Sequence, residues 1–348
     1  MSYRRLILFG SFMLILLLPL YLSYNHFARL LQQTGVKRPD VLVISIDTCR
    51  YDALGSYGNN RVYTPYMDNL VRKGVQFQRG YAPIPTTGPS HTTMFTGRSP
   101  GTHGVFRNAM RYSGRYVTLA KLLKDTGYRT GAFVSGYSVT SKPSGLDPGF
   151  DFYDDTWSQN KLERDAKEVI KSCKDWLTED HETPYFAWLH LFDPHSPYQE
   201  REPIIKSIRS DTGRKKVEAP EYTDDQINKY RQNVDQAIEA KDFMVLVKHP
   251  MSTETDPETL EKHYSAYLSE VSYVDQQLSE LNRFLQAEGR WNRTLVFLTA
   301  DHGEGFDHDY FFAHGDRLWE SAVRVPWIVR LPFDINGKNL SRAIARHE

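Results

Sequence analysis

Carboxylates and imidazoles follow several predicted strands of this chain. Asp47 closes the apolar run 41–46, and Asp301 with His302 follows the run 294–299. Open α/β sheets hold their ligands at the carboxyl ends of the strands, so we expect these side chains to meet. Adjacent Asp and His residues at the end of a buried strand are costly to fold unless they bind something. The set therefore predicts a divalent-cation site, although a single Asp at a strand end would prove little.

A hydroxyl-rich turn is the second chemical feature. Thr87 and Ser90 lie in the Gly/Pro-punctuated segment 86–105, and a helix is predicted from about Thr92. A hydroxyl at such a turn can be aimed at a substrate with help from a helix N-terminus. The segment is therefore a candidate for the nucleophile.

Two further segments carry polar residues beyond apolar runs. Asp193 and His195 leave the run 185–192 together, and His314 follows Asp301 and His302 in the segment 297–316. Taken singly, a histidine is more often a satisfied polar residue or a helix cap than a ligand. We expect that simpler role for three others, namely His91, His103 and His308.

The elements that must position these residues alternate between strand and helix. Apolar, β-branched runs occur at 41–46, 130–134, 185–192, 294–299 and 325–331. They are typical of buried strands in a largely parallel sheet. Apolar residues at helical spacing fill 162–177 and 260–285 between them. The fold class is therefore α/β, with a largely parallel central sheet flanked by helices.

The composition limits which classes of partner and which disulfides can be expected. Among 348 residues, 43 Lys or Arg balance 43 Asp or Glu, so overall charge gives no reason to expect nucleic acid. Cys49 and Cys173 allow at most one disulfide. Cys173 falls on the apolar stripe of the first predicted helix, where a buried, inert thiol is expected.

The N-terminal segment 6–22 is apolar and uncharged, and would span about 25 Å as a helix. Arg4 and Arg5 precede it and no small-residue cleavage site follows, which favours an uncleaved signal anchor over a removable signal peptide, with a short core helix as the other alternative. We therefore expect a single-pass protein with its catalytic domain outside the cytoplasm, whether periplasmic, extracellular or lumenal. The predicted organisation is an anchor at 1–31, a tether at 32–39 and a catalytic domain at 40–348, with a charged insertion at 200–258.

Five ordered blocks together resemble the sulfatase family of the alkaline phosphatase superfamily. They read VLVISIDTCRYDALGSYG, TPYMDNLVRKGVQF, PSHTTMFTGRSPGTHGV, LTADHGE and HGDRLWESAVRVPWIVRLP. The resemblance runs from about Asp40 to Pro332. It implies an alkaline-phosphatase-like fold and cleavage of sulfate or phosphate esters. The family usually continues with a small C-terminal subdomain, which we expect to be missing from this chain.

The resemblance also implies roles for individual residues. Asp47, Asp301 and His302 match the metal ligands, and Thr87 occupies the position of the nucleophile, itself a metal ligand. Two histidines, His195 and His314, match residues that contact the transferred group or protonate the leaving oxygen. Asp193 is a weaker match, for orienting His195 or for binding a second metal. One metal is expected, and the oxygen and imidazole donors favour Mn²⁺, Zn²⁺ or Mg²⁺ over Ca²⁺.

The sequence departs from the family at the nucleophile. Sulfatases proper carry Cys or Ser in a Cys/Ser-x-Pro-x-Arg motif that is converted to formylglycine, whereas this chain reads Thr87-Gly-Pro-Ser-His91. Threonine lacks the primary β-carbon that becomes the aldehyde. A sulfothreonine would need slow attack at sulfur, whereas a phosphothreonine beside a cation can be attacked in line. The interpretation therefore favours phosphoester or phosphodiester cleavage, with hydrolase or transferase outcome.

Two alternatives remain open at this point. One is a sulfuric ester hydrolase acting on sulfated glycans or lipids, and the other is an inactive, tethered binding protein on the same fold. Membrane tethering suggests an envelope glycan, a glycolipid or a phospholipid head group as the ester substrate.

Overall fold

The apolar runs form the centre of one sheet, seen in a computed structural model that describes residues 38–157, 163–208, 228–229, 232, 256–308 and 310–332. Its strands are β1 (Asp40–Ile46), β2 (Val75–Tyr81), β3 (Arg129–Phe133), β4 (Phe152–Asp154), β5 (Tyr185–Leu191), β6 (Thr294–Ala300), β7 (Phe306–Asp307), β8 (Tyr310–Phe311) and β9 (Arg324–Arg330). Within the described residues, seven strands pair in the order β2-β9-β6-β1-β5-β3-β4, and β7 pairs with β8 as a separate hairpin.

The sheet is largely parallel, as predicted. Strand β1 pairs in parallel with β5 and β6, and β3 pairs in parallel with β4 and β5. Strand β9 is the exception among the predicted strands, because it runs antiparallel to both β6 and β2. Ile46 lies beside Leu191 on one side and Ala300 on the other. The three central strands therefore end level, at one edge of the sheet.

Helices cover both faces of this sheet. They are α1 (Pro65–Arg72), α2 (Thr87–Thr96), α3 (Pro100–His103), α4 (Leu119–Asp125), α5 (Ser141–Ser144), α6 (Ala166–Thr178), α7 (Ile204–Ile208), α8 (Pro257–Ala287) and α9 (Glu320–Val323). Leu42, Ile44 and Ile46 of β1 pack into a core with α1, α6 and α8. Val43 points the other way, into a core with Phe95 of α2 and residues of α4. This alternation along β1 produces the two helical layers.

Both predicted long helices are present, and capping residues set where each begins. Asp256 accepts hydrogen bonds from the backbone N–H groups of Glu258 and Thr259, and Pro257 occupies the first turn of α8. Asp165 caps α6 by accepting from the N–H of Lys167 at 2.8 Å. The predicted stripe therefore starts too early for α6, and its first position, 162, lies outside the described residues.

Some predictions concern residues that are not described. The apolar segment 6–22 and most of the insertion 200–258 lie outside the described residues, as do 333–348. Across the described ranges, no helix combines the length and apolar character needed to cross a membrane. Cys49 and Cys173 are both buried free thiols, so the disulfide left open by the sequence is not formed. Burial raises the pKa of the Cys173 thiol, in keeping with its predicted inert role.

One buried carboxylate joins α8 to α1, and its loss should destabilise the fold. Asp275 accepts hydrogen bonds from the N–H groups of Tyr66 at 3.1 Å and Met67 at 2.8 Å. In Asp275→Asn, one acceptor becomes an NH₂ group that faces a backbone donor. We expect the free energy of unfolding to fall by about 1–3 kcal/mol in urea titrations followed by circular dichroism.

The matched control is Asp175→Asn, which removes an exposed carboxylate paired with Lys171 on α6. That change should alter the unfolding free energy by no more than about 0.5 kcal/mol. Equal stability of the Asp275 and Asp175 variants would contradict the capping role.

Candidate metal and catalytic site

The level ends of the central strands bring the predicted ligands together. Asp47 follows β1, and Asp301 with His302 follows β6. The Nε2 atom of His302 lies 3.4 Å from Asp301 Oδ2 and 3.7 Å from Asp47 Oδ1. Thr87 Oγ1 lies 3.3 Å from the same Nε2 atom and 3.5 Å from Asp47 Oδ2. All four side chains thus surround one small volume at the carboxyl edge of the sheet, and each residue is buried.

The donor atoms that face this volume suit a divalent cation. Asp47 Oδ1 and Asp301 Oδ2 are buried and have no hydrogen-bond partner among the described residues. The Nδ1–H group of His302 donates to the Gly303 carbonyl at 2.9 Å, which leaves the lone pair on Nε2. Buried acceptors without donors are costly, and a cation satisfies all of them at once. The residues present therefore fit a metal held by Asp47, Asp301, His302 and Thr87.

The pKa shifts of the clustered residues also favour a bound cation. Burial raises the pKa of Asp47 to about 7, although the neighbouring His302 partly opposes this shift. Burial and the nearby Asp47 carboxylate raise the pKa of Asp301. Burial alone would lower the pKa of His302, but Asp301 and Asp47 more than offset it, so the net shift is upward. The cluster is thus short of positive charge, which a divalent cation would supply.

Backbone geometry directs Asp47 into the site. The next residue, Thr48, has φ = 54°, a left-handed conformation that is unusual for a β-branched residue. Tyr267 of α8 holds this turn, because its hydroxyl donates to the Thr48 carbonyl at 3.0 Å and accepts from Arg50 N at 2.9 Å. Helix α8, the longest of the described helices, therefore holds the turn that follows β1.

Thr87 is the first residue of α2, so the helix predicted from about Thr92 begins one turn earlier. The positive end of the helix dipole thus lies at the Thr87 hydroxyl itself. The Gly88 N–H donates to Asn108 Oδ1 at 2.7 Å. A Cβ at position 88 would lie 3.2 Å from that oxygen, tighter than an ordinary contact. Gly88 therefore lets the loop at 105–110 close over the start of the helix.

The base of α2 is held by two residues next to Thr87 in sequence. His91 donates from Nδ1 to the Thr87 carbonyl at 2.8 Å, and its Nε2 lies 2.9 Å from Ser45 Oγ. Burial lowers the pKa of His91 to about 3, so the ring is neutral. Ser90 donates to the Asp301 carbonyl at 2.6 Å, which leaves Thr87 as the hydroxyl of this turn that faces the ligands. His91 and Ser90 therefore support the site from below.

Of the two candidate proton-transfer residues, His314 lies beside the predicted ligand His302, and His195 lies beside His314. The ring of His314 is 4.5 Å from that of His302 and 4.9 Å from that of His195, measured between centroids. His314 Nδ1 lies 3.2 Å from the buried Glu304 Oε1. His195 donates from Nδ1 to the Ser196 carbonyl at 2.6 Å and stacks on Phe192 at 4.2 Å. Each imidazole therefore has one nitrogen held by a neighbouring oxygen atom.

Asp193 is not where the sequence suggested. Its carboxylate bonds Arg201 at 3.0 Å and accepts from the Ala166 N–H at the start of α6, rather than orienting His195. Burial raises its pKa to about 7, and Arg201 partly offsets the shift. In the described residues, the groups close enough to share a cation do not include Asp193. Its role in the structure is to tie the segment after β5 to α6.

The remaining histidines of the sequence prediction take ordinary roles. His103 accepts from the Val105 N–H at 3.1 Å, and Thr93 Oγ1 lies 3.0 Å from its Nε2. His308 stacks on Trp319 with ring centroids 5.0 Å apart. Neither belongs to the groups of described residues that could hold a cation.

Sequence reasoning missed three polar residues at this edge. His190 lies 3.2 Å from Asp47 through Nε2, Glu304 contacts His314, and Asn108 holds the start of α2. His190 sits inside an apolar strand, where a polar residue was read as part of the core. Glu304 stands two residues after His302, so the run Asp-His-Gly-Glu was the one available signal.

Comparison with known proteins agrees with this architecture. A family model described as Sulfatase matches residues 39–347. The N-acetylglucosamine-6-O-sulfatase of Bacteroides thetaiotaomicron is 25% identical, with 90% of this chain and 66% of the relative covered. An ulvan-active sulfatase of Formosa agariphila is 22% identical, with 86% and 58% covered. A crystal structure of the phosphonate monoester hydrolase of Agrobacterium radiobacter superposes with a TM-score of 0.62 at 23% identity, covering 85% of this chain and 68% of the other.

The fold and the carboxylate–imidazole edge define a protein of the alkaline-phosphatase-like class. Within that class, the chain belongs to the sulfatase family. It spans less than two thirds of the length of the two curated relatives named above.

Removing one ligand should abolish stabilisation by a cation. With Mn²⁺ at about 100 times its Kd, the wild-type chain should gain about 2.7 kcal/mol in unfolding free energy, because the ion binds only the folded state. Asp301→Asn replaces a carboxylate oxygen whose buried lone pairs face the metal volume. We expect the gain to disappear in that variant when unfolding is measured with and without Mn²⁺.

The control is Asp307→Asn, which removes a nearby carboxylate that bonds Arg50 and Ser321 instead. It should keep the full gain. Equal gains in all three proteins would contradict the assignment of Asp301.

Proposed function

We propose that this chain is a metal-dependent phosphoesterase or phosphodiesterase, or the corresponding transferase, with Thr87 as its nucleophile. The observation that carries the proposal is the position of the Thr87 hydroxyl. Its oxygen lies within 3.5 Å of both Asp47 and His302, at the start of a ten-residue helix. A hydroxyl held beside a cation and a helix N-terminus is activated in the way that nucleophilic catalysis requires.

The side chain at position 87 favours phosphorus over sulfur. Threonine has a secondary alcohol, so it cannot become the formylglycine aldehyde of sulfatases proper. An ester formed on Thr87 must then be cleaved by attack at the transferred group, which is readier at phosphorus than at sulfur. The structural similarity to a phosphonate monoester hydrolase is compatible with this choice, since that protein is named for cleavage at phosphorus.

The chain's own residues account for the proton movements. Thr87 Oγ1 would form a bond to phosphorus while its proton passes to Asp47 Oδ2, the acceptor 3.5 Å away. The P–O bond to the leaving group would break as His314 or His195 supplies a proton to the departing oxygen. Water or an acceptor alcohol would then form a bond to phosphorus and give its proton to the same histidine, while the P–O bond to Thr87 breaks and Asp47 returns the proton to Thr87 Oγ1, giving hydrolysis or transfer. A bound divalent cation supplies charge stabilisation and lowers the pKa of the hydroxyl.

The donor set also bears on the metal's identity. Three oxygens and one imidazole suit Mn²⁺, Zn²⁺ or Mg²⁺, whereas Ca²⁺ prefers six to eight oxygens. One ion satisfies the buried acceptors described above. We therefore propose a single Mn²⁺, Zn²⁺ or Mg²⁺.

Charge around the nucleophile supports an anionic substrate. Residues 69–124 carry nine Lys or Arg and no Asp or Glu, although the whole chain is neutral. Thr87 lies within this stretch. The backbone of Arg107 passes close to the start of α2, because its carbonyl oxygen would lie 3.8 Å from a Cβ atom placed on Gly88. The Arg107 side chain is exposed and makes no ion pair with the described residues. Arg111, Lys121 and Lys124 are paired with Asp147, Asp125 and Asp151, so Arg107 is the cation that we expect to attract an anionic ester.

A second candidate is hydrolysis of sulfate esters on glycans. The named relatives favour it, since one is an N-acetylglucosamine-6-O-sulfatase and the other an ulvan-active sulfatase. The third alternative, an inactive binding protein, is disfavoured because the ligand atoms and the hydroxyl are all retained in one buried cluster.

The setting of the reaction is also a proposal. A signal anchor at 6–22 would hold the catalytic domain outside the cytoplasm, at the membrane surface. Envelope glycans, glycolipids and phospholipid head groups would then be the accessible esters. No nucleic acid is expected as a partner.

The nucleophile is tested by two substitutions at one position. Thr87→Ala should abolish metal-dependent cleavage of an aryl phosphodiester, with kcat falling by about 10³-fold or more. Thr87→Ser keeps the hydroxyl and should retain activity within about tenfold of wild type. Rates are measured on the full chain with aryl phosphodiester, phosphomonoester and sulfate ester substrates, with Mn²⁺ or a chelator. Cleavage that persists in Thr87→Ala would contradict the assignment of Thr87 as nucleophile. Activity on the sulfate ester alone would favour sulfate ester hydrolysis, the second candidate.

The electrostatic argument has its own test. Arg107→Ala should raise KM for an anionic substrate about threefold to tenfold at low salt, with a smaller effect at high salt, because screening weakens the attraction. Lys171→Ala removes an exposed charge on α6 and is the matched control. An unchanged KM in the Arg107 variant at every salt concentration would exclude steering by this residue.

A further inference from the structure

His190 is a buried imidazole that the proposed reaction does not use. It lies on β5 opposite Ser45 of β1, two residues before Asp47, and is fully buried. Its Nε2 atom is 3.2 Å from Asp47 Oδ2. That oxygen also lies 3.5 Å from Thr87 Oγ1, whereas Oδ1 is the atom 3.7 Å from His302 Nε2. His190 therefore hydrogen-bonds one oxygen of a predicted metal ligand and leaves the other oxygen to the cation.

The hydrogen bond defines the form of the ring. A carboxylate oxygen can only accept, so the Nε2 atom of His190 carries the proton and donates it. In the neutral ring Nδ1 then bears a lone pair, and it is buried without a partner among the described residues. Leaving that acceptor unsatisfied has an energetic cost. Within the described residues, the one hydrogen bond of the His190 ring is therefore to Asp47.

A second cation beside the first is the competing explanation. His91, His190 and Asp301 each offer an atom within 4.8 Å of the others. However, His91 Nδ1 faces a carbonyl oxygen, so it must carry a proton and has no lone pair to offer. The other nitrogen of His91 is already bonded to Ser45. His91 therefore cannot complete a second metal site in this arrangement.

The other ligands are each oriented by a different kind of partner. Asp301 Oδ1 accepts from the backbone N–H of His302 at 2.9 Å, and His302 is fixed by the Gly303 carbonyl. Thr87 is fixed by its helix. Asp47 differs, because two side chains, those of His190 and Thr87, contact its Oδ2 in addition to the backbone hydrogen bond from Thr48 to its carboxylate. If Thr87 turns toward a cation or substrate, the side-chain donor that remains on Oδ2 is His190.

We propose that His190 is a positioning residue for Asp47, whose Nε2–H holds Oδ2 so that Oδ1 stays directed at the cation. The proposal rests on the cation site but not on the reaction that the site performs. Partners of this kind orient metal ligands, and their loss commonly weakens metal binding about 10–100-fold.

The test compares two replacements by calorimetric titration of the full chain with Mn²⁺ alone. His190→Phe keeps a flat ring and removes the donor, so Kd should rise about 10–100-fold. His190→Gln places an amide N–H close to the position of Nε2, so it should restore Kd to within about threefold of wild type. His103→Phe, at a buried histidine outside the site, is the control and should leave Kd unchanged.

Two further measurements, thermal unfolding and pulsed EPR, allow every outcome of the titration to be interpreted. Thermal unfolding in chelator must show that the variants are folded, and His190→Gln provides the folded comparison if His190→Phe does not fold. Pulsed EPR on bound Mn²⁺ should detect one coordinated imidazole in wild type and in His190→Gln. A Kd in folded His190→Phe equal to wild type, loss of binding in His190→Gln as severe as in His190→Phe, or two coordinated imidazoles would each overturn the positioning role.

The same titration separates this inference from the proposed function. A wild-type chain that binds no Mn²⁺ would overturn both. Tight Mn²⁺ binding with the expected variant pattern, but no ester cleavage by wild type, would leave His190 in its role and remove the proposed activity alone.

Discussion

The burial of two carboxylates side by side is the constraint on which the site depends. Asp47 and Asp301 are fully buried at the ends of adjacent strands, and each turns toward one imidazole nitrogen an oxygen that has no hydrogen-bond partner in the described part of the chain. Such a pair is stable as anions only with compensating positive charge. The parallel register of β6, β1 and β5 creates this demand, because it ends all three strands at one level. A divalent cation meets it.

The surrounding elements hold Asp47, Asp301 and Thr87 in this arrangement. Tyr267 of α8 fixes the left-handed turn after Asp47, and Ser90 of α2 bonds the backbone of Asp301. Ser45, on the face of β1 toward α2, accepts from Trp188 at 2.9 Å and meets His91. This chain of contacts runs from the sheet to the Thr87 carbonyl, so Thr87, the proposed nucleophile, is positioned by the core rather than by a surface loop. Rigid support of this kind is what preorganised catalysis requires.

Much of this could be predicted from the sequence, and the failures have physical causes. Continuous apolar runs marked the buried parallel strands, and Asp47, Asp301 and His302 stood out because charge at a strand end is costly. Strand β2 was missed because it lies at the sheet edge, where VQFQRGY exposes polar residues and lacks an apolar run. The start of α2 was placed late because Thr-Gly-Pro is typical of a turn.

The second limit of the sequence prediction was that it did not show which buried groups contact one another. Asp193 was a weaker candidate for the site because it stands two residues before His195, but its carboxylate is hydrogen-bonded to Arg201, eight residues later. His190 was absorbed into the core because a strand buried on both faces gives no periodic signal that distinguishes a functional side chain. Local sequence therefore reports which residues end strands, whereas it does not report which buried groups satisfy one another. The membrane anchor and the insertion remain predictions from the sequence.

The most direct test of the central claim is the stereochemical course of phosphodiester cleavage, using a chiral, isotopically labelled aryl phosphodiester and the full chain with Mn²⁺. Two displacements through Thr87 predict net retention at phosphorus, whereas inversion or an absence of turnover would contradict the account.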